Sequence, residues 1–213
     1  MADGGKTYVF KDPTRLTRIT IWSIYALAVF ESASLLSGLY DTTLLQIGPI
    51  TDGANALRQG IVTILDAIAT IVAGVLTLMW IYRASANAHS MKTDAMDISP
   101  GWAVGWYFIP VASLWKPFQA MREIWNVSQS PTSGTFDTPA ILRWWWGLWI
   151  IDNIAAQASF RLTGIEGADT LASTILSVIG NAADIGACVL LVTLMHRIAG
   201  WQTGAGRAEA VFA

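Results

Sequence analysis

Four long apolar stretches, separated by shorter polar segments, dominate the pattern of hydrophobic and polar positions along the chain. They cover residues 16–40, 57–82, 141–162 and 170–195. A helix needs roughly 20 residues to cross a hydrocarbon core of about 30 Å, and each stretch meets that length. The pattern therefore predicts an all-α, polytopic membrane protein with four transmembrane helices in one membrane domain, residues 16–200. Residues 1–15 are predicted to be a cytoplasmic N-terminal segment, and residues 201–213 a mobile tail.

A fifth apolar stretch, residues 99–127, has a different character because Pro110, Lys116 and Pro117 interrupt its second half. Proline removes a backbone donor and disfavours helix at the preceding residue. Irregular backbone is tolerated at membrane depth only where protein or a wet cavity satisfies its polar groups. We therefore expect breaks at both prolines, in a segment that re-enters the membrane from the cytoplasmic side or lies along that interface. Its tryptophans suit an interfacial position: Trp102, Trp106, Trp115 and Trp125.

The distribution of Lys and Arg favours the four-span topology, because the cytoplasmic loops of membrane proteins collect these residues. With both termini inside, all 13 basic residues except Arg58 and Arg161 fall on the cytoplasmic side. A fifth span would move Arg122, Arg143 and the C-terminal basic residues outside. We therefore predict a multi-pass protein of the bacterial inner membrane, with both termini and the loop at 128–139 in the cytoplasm.

Composition agrees with a membrane protein and removes several function classes. Hydrophobic residues make up 54% of the chain and charged residues 13%, against roughly 25% charged in an ordinary soluble domain. The net charge of −2 provides no basic patch for nucleic acid. No His and Cys residues have the spacing of metal ligands, and the chain carries no GxSxG, HExxH or P-loop motif. We therefore predict no enzymatic activity, no catalytic residue, no metal and no cofactor.

One acidic residue lies inside each predicted span, and these residues are the main candidates for function: Glu31, Asp66, Asp152 and Asp184. A carboxylate in hydrocarbon costs on the order of 2.5 to 3.5 kcal/mol on insertion scales, so each should face the bundle interior and be protonated, paired or hydrated. From the helical rise, their depths form a staggered series from roughly 22 Å at Glu31 to about 8 Å at Asp184, measured from the cytoplasmic edge. They could hold helices together by hydrogen bonds or form a path for protons or cations.

Polar neighbours accompany these acids at helical spacing. Asn181 shares a face with Asp184 at i and i+3, and Asn153 forms an i, i+4 pair with Gln157. Both asparagines are therefore candidate residues of an ion path. Lys116 is the candidate counter-charge for Asp184 or Asp152, the two acids nearest the cytoplasmic edge; alternatively, its side chain snorkels to phosphate headgroups.

The central part of the chain also resembles a known family. The run from Trp80 to Ala88, the segment SPGWAVGWYFIPVASLWKPFQAMREIW at residues 99–125 and the Trp-rich start of the next helix are similar to the bacterial membrane family catalogued as domain of unknown function 4328. The resemblance covers roughly residues 20–200, although the family more often has Asn at the position of Ser113. It implies a multi-span integral membrane protein without an assigned activity, and it brings no catalytic residue. The positions that carry it are Asn87, Pro100, Gly101, Trp102, Gly105, Trp106, Pro110, Trp115, Lys116, Pro117, Gln119 and Trp125.

Two function classes follow from these residues. The first is an accessory or interaction subunit of a membrane assembly, which uses its Trp-rich surface and the Gly101–Gly105 pair to dock on another membrane protein or on a second copy. The second is a conduit or binding protein for protons, cations or a small solute, which uses the buried acids. The lipid bilayer is the expected partner in both. Whether the four acids face one another distinguishes the two classes.

Overall fold

The computed structural model describes residues 7–44, 52–91, 96–129, 137–163 and 170–212, and all regular structure in these ranges is helical. The described ranges contain six α-helices, with two single 3-10 turns between the third and the fourth. The helices are α1 (Thr14–Leu44), α2 (Asp52–Met91), α3 (Pro100–Gly105), α4 (Lys116–Gln129), α5 (Ala140–Thr163) and α6 (Thr170–Phe212). The predicted all-α class is confirmed.

Each of the four predicted spans lies within a long helix: α1, α2, α5 and α6. Three of these helices contain segments that are long and apolar enough to cross a membrane, namely Thr14–Ser37, Ala56–Met91 and Ala172–Ala205. The helix α5 has the length of a span, with 24 residues. It is not among these three segments, and it contains Asp152, Asn153 and Gln157 together with two arginines.

The predicted tail at residues 201–213 begins too early. The helix α6 continues to Phe212, and Gln202 is fully buried with 0% of its surface exposed. The sequence interpretation stopped at Gly200 because polar and glycine residues follow it. Glycine lowers helix stability by only about 1 kcal/mol, and packing of the next turn offsets that cost.

The segment at 99–127 is interrupted, as predicted, at Pro110. The chain forms α3, a 3-10 turn at Trp106–Phe108, a second 3-10 turn at Ala112–Leu114, and then α4. Ile109 has an extended backbone, with φ −101° and ψ 112°, as expected of a residue that precedes proline. The continuous helix that a fifth span would require is therefore not formed.

An unusual turn at Val111 redirects the chain after this proline. Val111 has φ 69° and ψ −56°, and the N–H of Ala112 donates to the carbonyl of Pro110 at 2.8 Å. This geometry is a γ-turn of the rarer, strained hand. A positive φ is especially unfavourable for a β-branched residue. Val111 is the only non-glycine residue with positive φ in the part of the chain that the structure describes.

The predicted break at Pro117 is wrong. Pro117 is the second residue of α4, a position at which its missing N–H has no helical acceptor and its fixed φ suits a helix. The same logic applies to Pro100, the first residue of α3. These two prolines therefore start helices, and only Pro110 interrupts one.

The chain divides into two compact units. Unit 1 comprises Met1–Trp22, Gly74–Trp144 and Leu190–Ala213, and unit 2 comprises Ser23–Ala73 and Trp145–Val189. The core of unit 1 is built from large side chains that are almost completely buried, among them Trp80, Ile81, Met121, Ile124, Leu142, Leu194, Met195 and Ile198. Small residues are prominent in the core of unit 2, where Ala155, Ala183 and Ala187 are buried, and such residues allow helices to approach closely.

Large apolar side chains also cover the outside of unit 2. Val29, Ile64 and Phe160 are all more than half exposed. In water such a surface would be an aggregation hazard, whereas in a bilayer the lipid tails cover it without cost. This distribution is typical of helices that contact lipid.

Candidate functional site

The four acids of the predicted spans come together in unit 2. Glu31, Asp66, Asp152 and Asp184 are each partly buried and lie on α1, α2, α5 and α6. The charge of Glu31 interacts with those of the other three acids, and Asp184 also interacts with Asp66 and Asp152. We call this group the acid cluster. The staggered depths expected from helical rise stay a prediction, because the interactions among the four charges do not measure depth in a membrane.

Two glycines of α6 bring this helix close to α5 beside the acid cluster. A Cβ atom on Gly180 would lie 3.4 Å from Asp152 Oδ1 and 3.5 Å from Ala155 Cβ. A Cβ atom on Gly186 would lie 2.9 Å from Leu148 Cδ1. Both positions were missed in the sequence interpretation. The signal that could have found them is the run of small residues at helical spacing in α6, from Gly180 through Ala183 to Ala187.

A cavity of about 330 Å³ lies between α5 and α6 on one side of Asp152. Asn181 and Gly180 line it from α6, together with Ser177, and Ser159 lines it from α5. The hydroxyls of Ser159 and Ser177 are 2.8 Å apart, and the hydroxyl of Ser159 donates to the carbonyl of Ser173 at 3.0 Å. The predicted candidate Asn181 therefore lies beside a carboxylate and two hydroxyls in a polar cavity.

Among the residues that the structure describes, few hydrogen bonds hold the acids of the cluster. Asp184 Oδ2 accepts a weak bond from Cys188 Sγ at 3.5 Å, so the single cysteine is a neighbour that the sequence did not indicate. Asp66 Oδ1 is buried and has no hydrogen-bond partner among the described residues. The amide of Asn153, another predicted candidate, donates to the carbonyl of Trp149 one turn earlier in its own helix, at 2.8 Å. Within the described ranges, no group of three or more His, Cys, Asp or Glu side chains is arranged to hold a metal ion.

Unit 1 contains a different polar network, centred on Gln202. Its amide nitrogen donates to the carbonyl of Ala84 and to Ser128 Oγ, each at 2.9 Å. Its amide oxygen accepts from Asn87 Nδ2 at 3.1 Å. Asn87 also bonds both backbone groups of Lys11, accepting its N–H at 3.0 Å and donating to its carbonyl at 2.8 Å. We call this set the amide network; it ties the N-terminal segment, α2, α4 and α6 together.

The structure gives the tryptophans of the family-like motif packing roles in unit 1. Trp102 and Trp106 stack with ring centroids 4.6 Å apart, and Trp125 packs edge-on against Trp201 at 4.8 Å. The Trp115 carbonyl accepts the N–H of Gln119 at 3.1 Å, which closes the first turn of α4.

The Gly101–Gly105 pair does not bring two helices together within the described chain. A Cβ atom on Gly101 would have no neighbour within 4 Å, and one on Gly105 would meet only the ring of Trp102 from its own helix, at 3.3 Å. Lys116 lies in unit 1, where its ammonium stands 5.7 Å from the centre of the Trp106 ring. Its predicted pairing with Asp184 or Asp152 stays a prediction.

Near the motif, Glu123 is a buried acid that accepts hydrogen bonds from the backbone. Its carboxylate accepts the N–H of Ile98 at 3.1 Å and that of Asp97. Burial nevertheless raises the pKa of Glu123 above its ordinary value. The side chain of Asn126 bonds both backbone groups of Asp137, at 2.8 and 3.0 Å. These contacts fix the second half of α4 to Ile98 before it and to Asp137 after it.

Comparison with known proteins agrees with the sequence resemblance. The family described as domain of unknown function (DUF4328) matches residues 45–200, a region that begins after α1, whereas the resemblance was expected from about residue 20. No curated protein and no solved structure matches the chain. The match covers most of the 213 residues, including the whole motif segment, and the chain therefore belongs to the DUF4328 family.

Proposed function

We propose that the chain is a four-span integral membrane protein of the bacterial inner membrane that binds and passes protons through the acid cluster. The observation that carries the proposal is the convergence of one carboxyl group from each of the four long helices. Negative charges at membrane depth repel one another, so a positive charge that enters the cluster is stabilised. The proposal uses no catalytic residue and no cofactor.

The proposed fourth span is α5. Its 24 residues extend about 36 Å, which exceeds the hydrocarbon thickness of about 30 Å. Its polar residues Asp152 and Ser159 line the α5–α6 cavity, so they need not face lipid. In this topology α3 and α4 lie at the cytoplasmic interface, and both termini are cytoplasmic.

Cysteine labelling tests the topology. Ser133, which lies outside the described residues, is replaced by cysteine in a Cys188→Ser background, and intact cells are treated with a membrane-impermeant maleimide. We expect no labelling until the membrane is permeabilised. Efficient labelling from outside would contradict the four-span arrangement and the cytoplasmic placement of the 128–139 loop.

Proton flux tests the function. The purified protein is reconstituted into liposomes that contain a pH-sensitive dye, and a potassium diffusion potential, negative inside, drives proton entry. We expect faster acidification than in protein-free liposomes, and a Glu31→Gln variant should fall to the protein-free rate. The matched control is Asp97→Asn, which changes an exposed acid outside the cluster and should retain the wild-type rate. Equal rates for wild-type protein and empty liposomes would refute proton passage.

The accessory-subunit function is the second candidate, and one observation favours it. Gly101 is exposed and open on the side where a Cβ atom would lie, and Trp102 beside it is also exposed. A helix of another membrane protein or of a second copy could approach closely here. Co-purification of two differently tagged copies tests the second case: Gly101→Leu should abolish it, whereas Gly53→Leu, an exposed glycine of α2, should not. Unchanged co-purification of the Gly101 variant would exclude this surface.

A further inference from the structure

A groove of about 350 Å³ runs along α2 in unit 1. Its floor extends from Val75 to Arg83 on α2, and Leu16 of α1 and Val104 of α3 form its sides. Val75 and Arg83 are eight residues apart, which corresponds to about 12 Å along the helix axis. The groove belongs to neither the acid cluster nor the amide network.

The two ends of the groove differ in chemistry. Val75, Leu78 and Met79 make one end apolar, whereas Tyr82 and Arg83 make the other end polar and cationic. Arg83 is half-buried, and its guanidinium forms no hydrogen bond or ion pair with any described residue. A partly desolvated charge without a counter-ion is costly, and a guanidinium is well suited to bind a phosphate through two parallel hydrogen bonds. The cationic end therefore fits an anionic group.

The position of the groove indicates which molecule brings that anion. Its α2 floor lies within the Ala56–Met91 segment, which is apolar enough to cross a membrane, and Leu16 lies in the first turn of the Thr14–Ser37 segment. The Arg83 end is thus level with the point at which the chain enters its first candidate span. The Val75 end lies deeper along the helix. An amphiphile from the bilayer, with its headgroup at Arg83 and a chain toward Val75, matches both ends.

We propose that this groove is a binding site for an anionic phospholipid, with the phosphate on Arg83 and Tyr82 and part of one acyl chain along Val75 and Met79. Basic pockets between membrane helices bind anionic headgroups by the same combination of charge and shape. A zwitterionic lipid would fill the apolar part equally well but would bring a positive group to Arg83. The site therefore selects lipids by headgroup charge.

Native mass spectrometry of the full-length protein in mild detergent tests the site, with dioleoyl phosphatidylglycerol and dioleoyl phosphatidylcholine as probes. An arginine near anionic lipid contributes about 1 kcal/mol, so we expect phosphatidylglycerol to bind about fivefold more tightly than phosphatidylcholine. Arg83→Gln should abolish the difference and Arg83→Lys should retain it. The matched control is Arg143→Gln, which removes an exposed arginine outside the groove and should leave the preference unchanged.

A second variant and a soluble probe separate the lipid from its headgroup. Met79→Trp fills the apolar part of the groove at a half-exposed position, where folding tolerates a larger side chain, and should weaken binding of both lipids. Glycerol phosphate, which has no acyl chains, should not compete. Equal affinity of the wild-type protein for both lipids, or a preference that survives in Arg83→Gln, would overturn the proposal. Full competition by glycerol phosphate would show an anion site without a chain site and would overturn it as well.

Discussion

Replacement of Gln202 by leucine is the most direct test of how unit 1 is held together. Gln202 is fully buried, and its amide makes three hydrogen bonds: to the carbonyl of Ala84, to Ser128 Oγ and from Asn87 Nδ2. Leucine has a similar shape but can neither donate nor accept. The substitution therefore removes the polar contacts with little change in packing.

The loss of stability differs among the three hydrogen-bond partners of Gln202. Ser128 Oγ is buried and loses the N–H that it accepts, at about 1 to 3 kcal/mol for an unsatisfied group. Asn87 Nδ2 keeps its bond to the Lys11 carbonyl at 2.8 Å, and Ala84 lies within α2, so each loses about 0.5 to 1.5 kcal/mol. Leucine recovers on the order of 1 kcal/mol by apolar burial. We expect the free energy of unfolding to fall by about 1 to 5 kcal/mol.

Equilibrium unfolding in mixed detergent micelles, followed by tryptophan fluorescence, measures this loss. The matched control is Gln157→Leu, an exposed glutamine on α5, which should change the free energy of unfolding by less than about 0.5 kcal/mol. Ser128→Ala combined with Gln202→Leu should show a coupling of about 1 kcal/mol, because the two residues share one hydrogen bond. A loss equal to that of the control would refute the structural role of the amide network, and zero coupling would refute the Ser128 contact.

Three further substitutions test individual features of the fold and of the acid cluster. Val111→Gly removes the strain of a positive φ, a gain of about 1 to 2 kcal/mol, but glycine costs about 0.5 to 1 kcal/mol more conformational entropy on folding. We therefore expect a small gain in thermal stability, whereas the control Ile109→Gly should lower it. A loss of stability in Val111→Gly would contradict the γ-turn. Gly180→Ala should be tolerated because its Cβ meets neighbours at ordinary contact distances. Gly180→Leu should lower the free energy of unfolding by about 1 to 3 kcal/mol and block the cavity. Equal stability of the two variants would exclude the close approach of α5 to α6. Burial raises the pKa of Glu123, so the folded protein binds the proton of this carboxyl more tightly than the unfolded chain does, and the free energy of unfolding should fall as pH rises above the ordinary pKa of 4.5. Subtraction of the pH–stability curve of Glu123→Gln isolates this effect. A wild-type-minus-variant stability that rises with pH would contradict the raised pKa.

The long helices could be predicted from sequence because their signal is additive along the chain. Each of the four apolar stretches is long enough that a few polar residues do not hide it, and all four lie within observed helices. The helix break at Pro110 was predictable because proline lacks the backbone N–H that an α-helix needs at that position. The γ-turn at Val111 was not, because valine has no preference for positive φ and only the surrounding structure can impose it.

Contacts between helices could not be predicted from helical periodicity. Periodicity places Glu31 and Asp66 on faces of their own helices, but it contains no information on the direction in which those faces point. Gln202 was missed for another reason, since a Gly-rich and polar segment was interpreted as the end of order. The spacing of Met195, Ile198 and Gln202 at i, i+3 and i+7 continues one helical face, and this signal could have extended α6 by two turns.

The two polar groups of the molecule differ in their chemistry, and this difference supports the proposal that the acid cluster binds protons. Where the chain holds helices together through polar side chains, in unit 1, it uses neutral amides, and every polar atom of the Gln202 and Asn87 side chains finds a partner. In the acid cluster the chain instead places four like-charged groups within range of one another, and Asp66 Oδ1 has no hydrogen-bond partner among the described residues. Asparagine or glutamine at these positions would bond neighbouring helices without mutual repulsion. Unlike an amide, a carboxyl group can take up and release a proton, and it carries a negative charge when it is ionised. Amide substitution in the cluster should therefore leave the fold intact and remove the proposed proton passage, whereas leucine substitution of Gln202 should lower stability and leave proton passage by the folded protein unchanged.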